Sequence, residues 1–411
     1  MRLAFCTGLA YARMRFAQVA RQLHGSLMDV ARESQGVRWE SHISAPLRLT
    51  YGSRATYHTA VRPIILPCDC CATSMRPMRT CAYEHFSSAH SMCQTVTGTE
   101  IPLSQADEDN IVSNHNRIRN EVQPPASNMQ LMVWDDELAL IALTYAKQCR
   151  FSHDLTVNRQ ALGLPGSTVG QNIYFRSNTF DPVAGVVSWE DEKADFTYNT
   201  ANTFSLTGHY SEMILHRNAK VGCGVADCSV PGIENRPGLN YIMICNYGAI
   251  QTNDEPDKPY CSSSISTCDT CGSTDPTYTN LCACGGKSCF NGGTLDIATC
   301  QCTCANNFGH TILTGSLCET LTCGATSEGT TCSVTDCETF GFTFGAKFCP
   351  ATCKVCPNTC TLNCQNGGYL NYVSDQTETR CACYCPTGFT GTECATRVWY
   401  EPSHAKNYNL A

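Results

Sequence analysis

Thirty-two cysteines stand in this 411-residue chain, and 22 of them follow Asp257. They fall into sets of six with fixed gaps, and one set nearly repeats another. Cytosolic thiols are kept reduced, so a ladder of this density has no structural use there. In an oxidising compartment each bridge removes chain entropy from the unfolded state, stabilising by about 2–4 kcal/mol. Modules too short to bury a core need that contribution. The C-terminal half therefore reads as extracellular and modular, held by disulfides more than by packing.

The net charge of −8 is divided unevenly. Residues 1–100 hold 11 Arg, no Lys and 6 acids, while residues 101–411 hold 17 basic and 30 acidic residues. An acidic main part argues against nucleic acid as a partner. No run of 18 or more apolar residues occurs, so the sequence offers no transmembrane segment. Met1–Ala12 has the parts of a short signal peptide, with Arg2, an apolar run and Ala10-Tyr11-Ala12 as a cleavage site. Arg13–Arg21, rich in Arg and free of acids, looks equally like a transit peptide. Cys68, Cys70, Cys71, Cys81 and Cys93 match no metal-ligand spacing. Residues 1–100 therefore read as a leader or a gene-model artefact, with the mature chain beginning between Cys93 and Asp107.

Residues 104–260 are the part long enough to bury a core. Ser104 with Asp107 three residues on opens a helix, and Ile111, Val112, His115, Ile118 and Val122 follow at helical spacing. A second helix runs from about Asp135, with Leu138, Ile141, Ala142, Tyr145 and Cys149 on its apolar face. Val186, Val187, Trp189, Glu192 and Phe196 indicate a third. Tyr241–Tyr247 is short, apolar and bounded by turn residues, as a buried strand is.

Five ordered motifs in this block resemble those of the CAP superfamily, which includes cysteine-rich secretory, pathogenesis-related and antigen 5 proteins. They are His115-Asn-Arg-Ile-Arg119; Met132–Ala139 followed by Ala146–His153; Gly170-Gln171-Asn172-Ile173; Gly208-His209-Tyr210-Ser211-Glu212; and Val221–Gly224 with Ile244–Tyr247. The resemblance implies an α+β fold, an α-β-α sandwich. It also implies a cleft lined by His153, Gln171, Glu192 and His209, and the disulfides Cys149–Cys228 and Cys223–Cys245. Gln171 stands where the family usually has Glu. Two imidazoles and a carboxylate can bind Zn²⁺, so His153 and His209 are the candidate metal ligands. The bland alternative is a set of polar groups that hydrogen-bond across the cleft. Ser211, near His209, lacks a nucleophile elbow. His115, on an apolar stripe, reads as a core histidine.

Cys261, Cys268, Cys271 and Cys282 form an even set in residues 261–283, a disulfide-tied hinge whose pairing stays open. Residues 284–318 and 360–394 each carry six cysteines with Asn-Gly-Gly after the second, at 291–293 and 366–368. Both resemble EGF-like domains. That implies Cys284–Cys300, Cys289–Cys302 and Cys304–Cys318, then Cys360–Cys381, Cys364–Cys383 and Cys385–Cys394. Neither has the acidic lead of a Ca²⁺-binding module, so no Ca²⁺ is expected. Residues 323–356 resemble a ShKT domain, which implies Cys323–Cys356, Cys332–Cys349 and Cys337–Cys353. Phe342-Thr343 stand where the toxin of that family has its Lys-Tyr dyad. An outward Phe340/Phe342/Phe344 stripe would be a protein-binding patch; at least one of the three is expected in the core. Residues 395–411 form a polar tail.

The reading that follows is a secreted, non-enzymatic binding protein with extracellular proteins or matrix as partners. The resemblance adds lipid or sterol as a ligand class. The alternatives are a metal-dependent hydrolase using the cleft and an ion-channel-modulating venom component.

Overall fold

The computed structural model describes residues 81–250, 257–266, 268–374 and 377–398. All of them belong to one contact unit, Ile65–Ala411. The signal or transit segment, Cys68, Cys70, Cys71 and the tail beyond residue 398 lie outside the described residues.

Helix ends in the central block are set by short acidic and hydroxyl side chains. Ser104 caps α1 (Gln105–Asn120) by accepting from the Asp107 N–H, and the Asp107 carboxylate accepts from the Ser104 N–H. Such a box satisfies donors that the first turn leaves without partners, and the N-cap contributes about 1 kcal/mol. Asp135 caps α2 (Asp136–Ala146) through the N–H groups of Glu137 and Leu138. Asp181 caps α3 (Pro182–Glu190), whose first residue is a proline that has no N–H to satisfy. The sequence expectation carried this helix on to Phe196. It ends at Glu190, and a 3-10 turn, Asp191–Ala194, presents Glu192 instead. A fourth helix, α4 (Phe204–Met213), carries His209.

Five strands form the sheet: β1 (Thr99–Ile101), β2 (Val133–Trp134), β3 (Thr168–Arg176), β4 (Lys220–Asp227) and β5 (Tyr241–Ile250). The antiparallel order is β1-β4-β5-β3, and β2 pairs parallel with β4. Side chains alternate across the sheet, as the strand period of two requires. Val221, Cys223 and Val225 of β4 and Met243, Cys245 and Tyr247 of β5 pack with Ile111, Ile118, Trp189 and Met213. On the other face Ala226, Ile242 and Ile244 pack under Ala142, Tyr145 and Ala146 of α2. The block is thus an α-β-α sandwich.

Two glycines set how closely α2 lies on the sheet. A Cβ at Gly222 would stand 2.1 Å from the Ala139 nitrogen, and one at Gly224 would stand 2.2 Å from the Leu143 Cα. The same closeness uses the first motif of the block. Arg119 is fully buried, and its guanidinium donates to the carbonyls of Gln130, Met213, Leu215 and His216. Asn116 exchanges two hydrogen bonds with the backbone of Met132, as a strand partner would. Bridges join Cys149 to Cys228 and Cys223 to Cys245, the second between residues directly opposite on β4 and β5.

Residues 81–100 correct the reading of 1–100 as a leader or artefact. Cys81 is bonded to Cys93, and Tyr83 and Met92 are buried against Leu138, Ile141, Leu162 and Leu164. Strand β1 pairs with β4. The block therefore begins by Cys81, not at Ser104. Of the early cysteines, Cys81 and Cys93 serve as a bridge.

After Tyr260 the structure is disulfide-rich, with short strand pairs. Cys261–Cys268 and Cys271–Cys282 tie the first stretch. Cys284–Cys300, Cys289–Cys302 and Cys304–Cys318 enclose two hairpins, Thr294–Asp296 with Gln301–Thr303 and Leu313–Thr314 with Thr320–Leu321. Cys323–Cys356, Cys332–Cys349 and Cys337–Cys353 surround helix α5 (Val334–Phe348), kinked at Gly341 where φ is +67°. Cys360–Cys381, Cys364–Cys383 and Cys385–Cys394 hold the pair Tyr369–Ser374 with Thr379–Tyr384. The three phenylalanines do not form one outward stripe. Phe340 is exposed, whereas Phe342 is buried and stacked on Tyr372 with ring centroids 5.4 Å apart.

Gly222→Ala and Gly224→Ala should each destabilise the chain by at least about 3 kcal/mol, because the new methyl meets helix backbone that cannot move alone. Gly238→Ala, with open space around its Cβ, is the comparison for a left-handed glycine outside the packing. Thermal melts of the secreted variants measure the difference.

Candidate functional site

The four cleft residues come from four elements. His153 follows the exit of α2, Gln171 is on β3, Glu192 is on the turn after α3, and His209 is in the middle of α4. They meet as two pairs. His153 Nδ1 lies 3.1 Å from Gln171 Oε1, and His209 Nδ1 lies 2.6 Å from Glu192 Oε1.

Each acceptor is itself held. Gln171 is buried; its Oε1 also accepts from the Asp154 N–H at 3.0 Å, and its amide donates to Asn246 Oδ1 at 3.2 Å. Those bonds identify Oε1 as the acceptor, so His153 Nδ1 carries the proton and Nε2 holds the lone pair. The other Glu192 oxygen accepts from the N–H groups of His209 and Tyr210 at 2.8 and 3.0 Å. Burial holds the His153 imidazole below its ordinary pKa, opposed by its bond to Gln171, with the Arg159 and His209 charges adding to the lowering. Trp189 stacks against the His209 ring at 6.1 Å.

A second layer fixes α4 against the sheet. Asn172 Nδ2 donates to the His209 carbonyl at 3.0 Å and to the Tyr247 hydroxyl at 3.3 Å. Tyr247 in turn donates to His115 Nε2 at 3.0 Å, and His115 Nδ1 donates to the Ile111 carbonyl. His115 is thus a satisfied core histidine, pushed down to about 4 by burial. Ser211 is two residues from His209 on α4, a spacing that places the two side chains on different faces.

Asn246, Asp154 and Arg159 were not named as site residues from sequence, yet they brace it. Arg159 donates to the carbonyls of Asp154, next to His153, and of Val169, two residues before Gln171. Asn246 had a signal: it lies in the motif Ile244–Tyr247, on the same face of β5 as the residues under α2. Arg159 sits in a loop and had none.

The His153 and His209 imidazoles are the groups in this set that could hold a cation. Two Nε2 lone pairs remain, but both Glu192 oxygens are occupied. The ligand atoms of His153, Glu192 and His209 do not all lie within 4.8 Å of one another. Among the described residues, the group that meets this spacing is Glu328, Cys332 and Cys349, and its two sulfurs are joined in a disulfide.

With this geometry in view, residues 112–247 match the family model described as cysteine-rich secretory protein family, CAP. A cysteine-rich venom protein of Conus textile is 33% identical over 291 residues, covering 67% of this chain and 89% of its own length. Venom allergen 5 of Dolichovespula arenaria is 39% identical over 165 residues, covering 36% of this chain and 76% of its own. Among solved structures, Schistosoma mansoni venom allergen-like protein 4 aligns at 23% identity and a TM-score of 0.31, covering 39% of this chain and 97% of that one. The chain belongs to the cysteine-rich secretory protein, or CAP, family.

Buried His85, His90 and His115 and half-buried His216 are each lowered by burial to about 4. In the unfolded chain they titrate near the ordinary value of about 6.5. Their folded pKa is depressed, so the unfolded state takes up protons first as pH falls. Their contribution is complete above about pH 6.5 and lost progressively toward pH 4. Thermal melts should show stability dropping through that window, and His115→Gln should reduce the slope.

Proposed function

We propose that this chain is a secreted binding protein whose CAP cleft receives a ligand and performs no hydrolysis. The observation that carries this reading is Gln171 with its hydrogen bonds. A general base must be ionisable and within reach of the attacking water. Gln171 is neither acidic nor free, and both Glu192 oxygens are taken by His209 and backbone N–H groups. The venom origin of the relatives supports an extracellular location, as does the number of disulfides.

Residues 284–318 and 360–394 are proposed to be EGF-like modules and residues 323–356 a ShKT module, binding extracellular proteins or matrix. The Cys-to-Cys intervals and the hairpins they enclose support this. A channel-directed role has less support. Phe342 is packed against Tyr372, and the Thr343 hydroxyl faces the Gly166 carbonyl, so both positions of the toxin dyad point into the molecule. Lipid or sterol remains a proposed ligand class for the block.

A Zn²⁺ ion in the cleft would be held by Nε2 of His153 and His209; a bound ion of this kind polarises its ligands. What the chain itself contributes is orientation: Gln171 and Glu192 fix the two rings by their Nδ1 atoms, as outer-shell acceptors do. Calorimetry of the full chain with ZnCl₂ should show binding that falls at least about tenfold in His153→Ala and in His209→Ala, and weakens below about pH 6. The same preparations should show no peptidase or esterase turnover. Zinc-dependent turnover by the unmodified chain, abolished by Glu192→Gln, would overturn the non-enzymatic reading.

A further inference from the structure

The segment that joins the two residues of the His153–Gln171 pair is buried where loops are normally exposed. Ala161, Leu162, Gly163, Leu164 and Pro165 are all buried. A buried loop must find partners for every backbone polar group, because its carbonyls and N–H groups have no strand or helix ladder. Two bonds close within the segment, from the Leu164 N–H to the Ala161 carbonyl and from the Ser167 N–H to the Leu164 carbonyl, and further partners come from outside it. The Glu137 carboxyl group of α2 accepts from the N–H groups of Leu162 and Gly163, both at 2.8 Å. His90, in the Cys81–Cys93 segment, donates to the Gln160 carbonyl at 2.9 Å.

Four carbonyls, those of Ala161, Leu162, Gly163 and Pro165, accept from the C-terminal region. Asn371 Nδ2 donates to Leu162 at 2.9 Å and to Ala161 at 3.3 Å. The Tyr369 hydroxyl donates to Gly163 at 3.3 Å, and the Asn291 N–H donates to Pro165 at 2.8 Å. The fit is close as well as polar. A Cβ on Gly163 would stand 3.0 Å from the Tyr384 ring, and one on Gly166 would stand 2.7 Å from the Asn291 Cα.

The same segment is tied to the cleft at its two ends. Arg159 donates to the carbonyls of Asp154 and Val169, closing the loop at its base. Ser91, from the Cys81–Cys93 segment, donates to Asp154 Oδ2 at 2.5 Å, while the Asp154 N–H donates to Gln171 Oε1. The Arg159 and Ser91 bonds thus tie the backbone beside His153 to a loop whose buried part is completed by other parts of the chain, while Gln171 is also held by Asn246 of β5.

We propose that the disulfide-rich C-terminal region and the Cys81–Cys93 segment position the CAP cleft, acting through the loop 155–169, whose residues 161–165 are buried. Asn371, Tyr369 and Ser91 are positioning residues: none touches a cleft imidazole, and each fixes the backbone that carries His153 or Gln171. This rests on the reading of the cleft as a ligand site. It makes the C-terminal region a mechanical part of that site, not only an appended adhesive. A partner that pulled Tyr369–Tyr384 away would loosen the cleft.

The test uses the full chain with histidine-selective isotope labelling, and reads the His153 imidazole by NMR, assigned through its loss in His153→Gln. No cleft ligand is needed, so the outcome is independent of whether the cleft binds anything. Asn371→Ala should shift the His153 ring signals, as the loosened loop changes the ring's surroundings. Asn371→Gln, which keeps a donor amide, should restore most of the shift. Phe340→Ala, on the exposed face of α5, should leave His153 unchanged. Tyr369→Phe loses a single hydroxyl and serves if Asn371→Ala is not secreted; a smaller shift in the same direction is expected. If loop amides exchange faster in these variants while His153 does not move, the coupling is overturned. If neither changes, the docking itself is overturned.

Discussion

The Glu137 carboxyl group accepts from the Tyr83 hydroxyl at 2.8 Å and from two amides of the loop that follows α2. One acidic group thereby joins three parts of the chain: the Cys81–Cys93 segment, the helix under the sheet and the loop on which the C-terminal region docks. Burial, reinforced by the Asp135 charge, pushes it up to about 7. Its folded pKa is raised, so its contribution is complete below the unfolded value of about 4.5 and lost as pH rises through 7. The buried histidines act in the opposite direction. Both windows lie between about pH 4 and pH 7, so over that range the protonation of the histidines and of Glu137 pull stability in opposite directions.

The cleft is asymmetric in the same terms. Both imidazoles present Nε2 and are anchored by Nδ1, but one anchor is a neutral amide and the other a carboxyl group. An amide orients a ring without adding a charge beside it. At Gln171 it does so while its own NH₂ is committed to Asn246, so an acid at this position would face the Asn246 oxygen until that amide turned. Gln171 is therefore built into a network that an acid at this position would have to rearrange.

Local order was readable in the sequence where a short-range rule governs it. The Ser104 capping box and the apolar stripes of α1 and α2 follow from spacing alone. The alternation of β4 and β5 sorts Asn246 onto the face of α2. Relations between distant residues were not readable. Tyr83 with Glu137, Asn371 with Leu162 and Phe342 with Tyr372 carry no periodic signal, because each is set by where two separately folded surfaces meet. Residues 81–100 were misread for the same reason. Their arginine-rich neighbourhood described composition, while their place in the fold rests on one bridge and a few buried rings. Glu192 was assigned to a helix because its spacing continued that of Trp189; the chain leaves the helix at Glu190, which is what turns the carboxyl group toward His209.

Amide hydrogen exchange on the intact chain tests most directly whether the loop between His153 and Gln171 has a buried interior that opens only with the fold. The amides of Leu162, Gly163 and Leu164 should be protected to within about tenfold of those in β4 and β5, since all would then open only with the global fold. Exchange of these three amides at the rate of the exposed turn at Gly232 and Gly238, with the sheet still protected, would contradict the account.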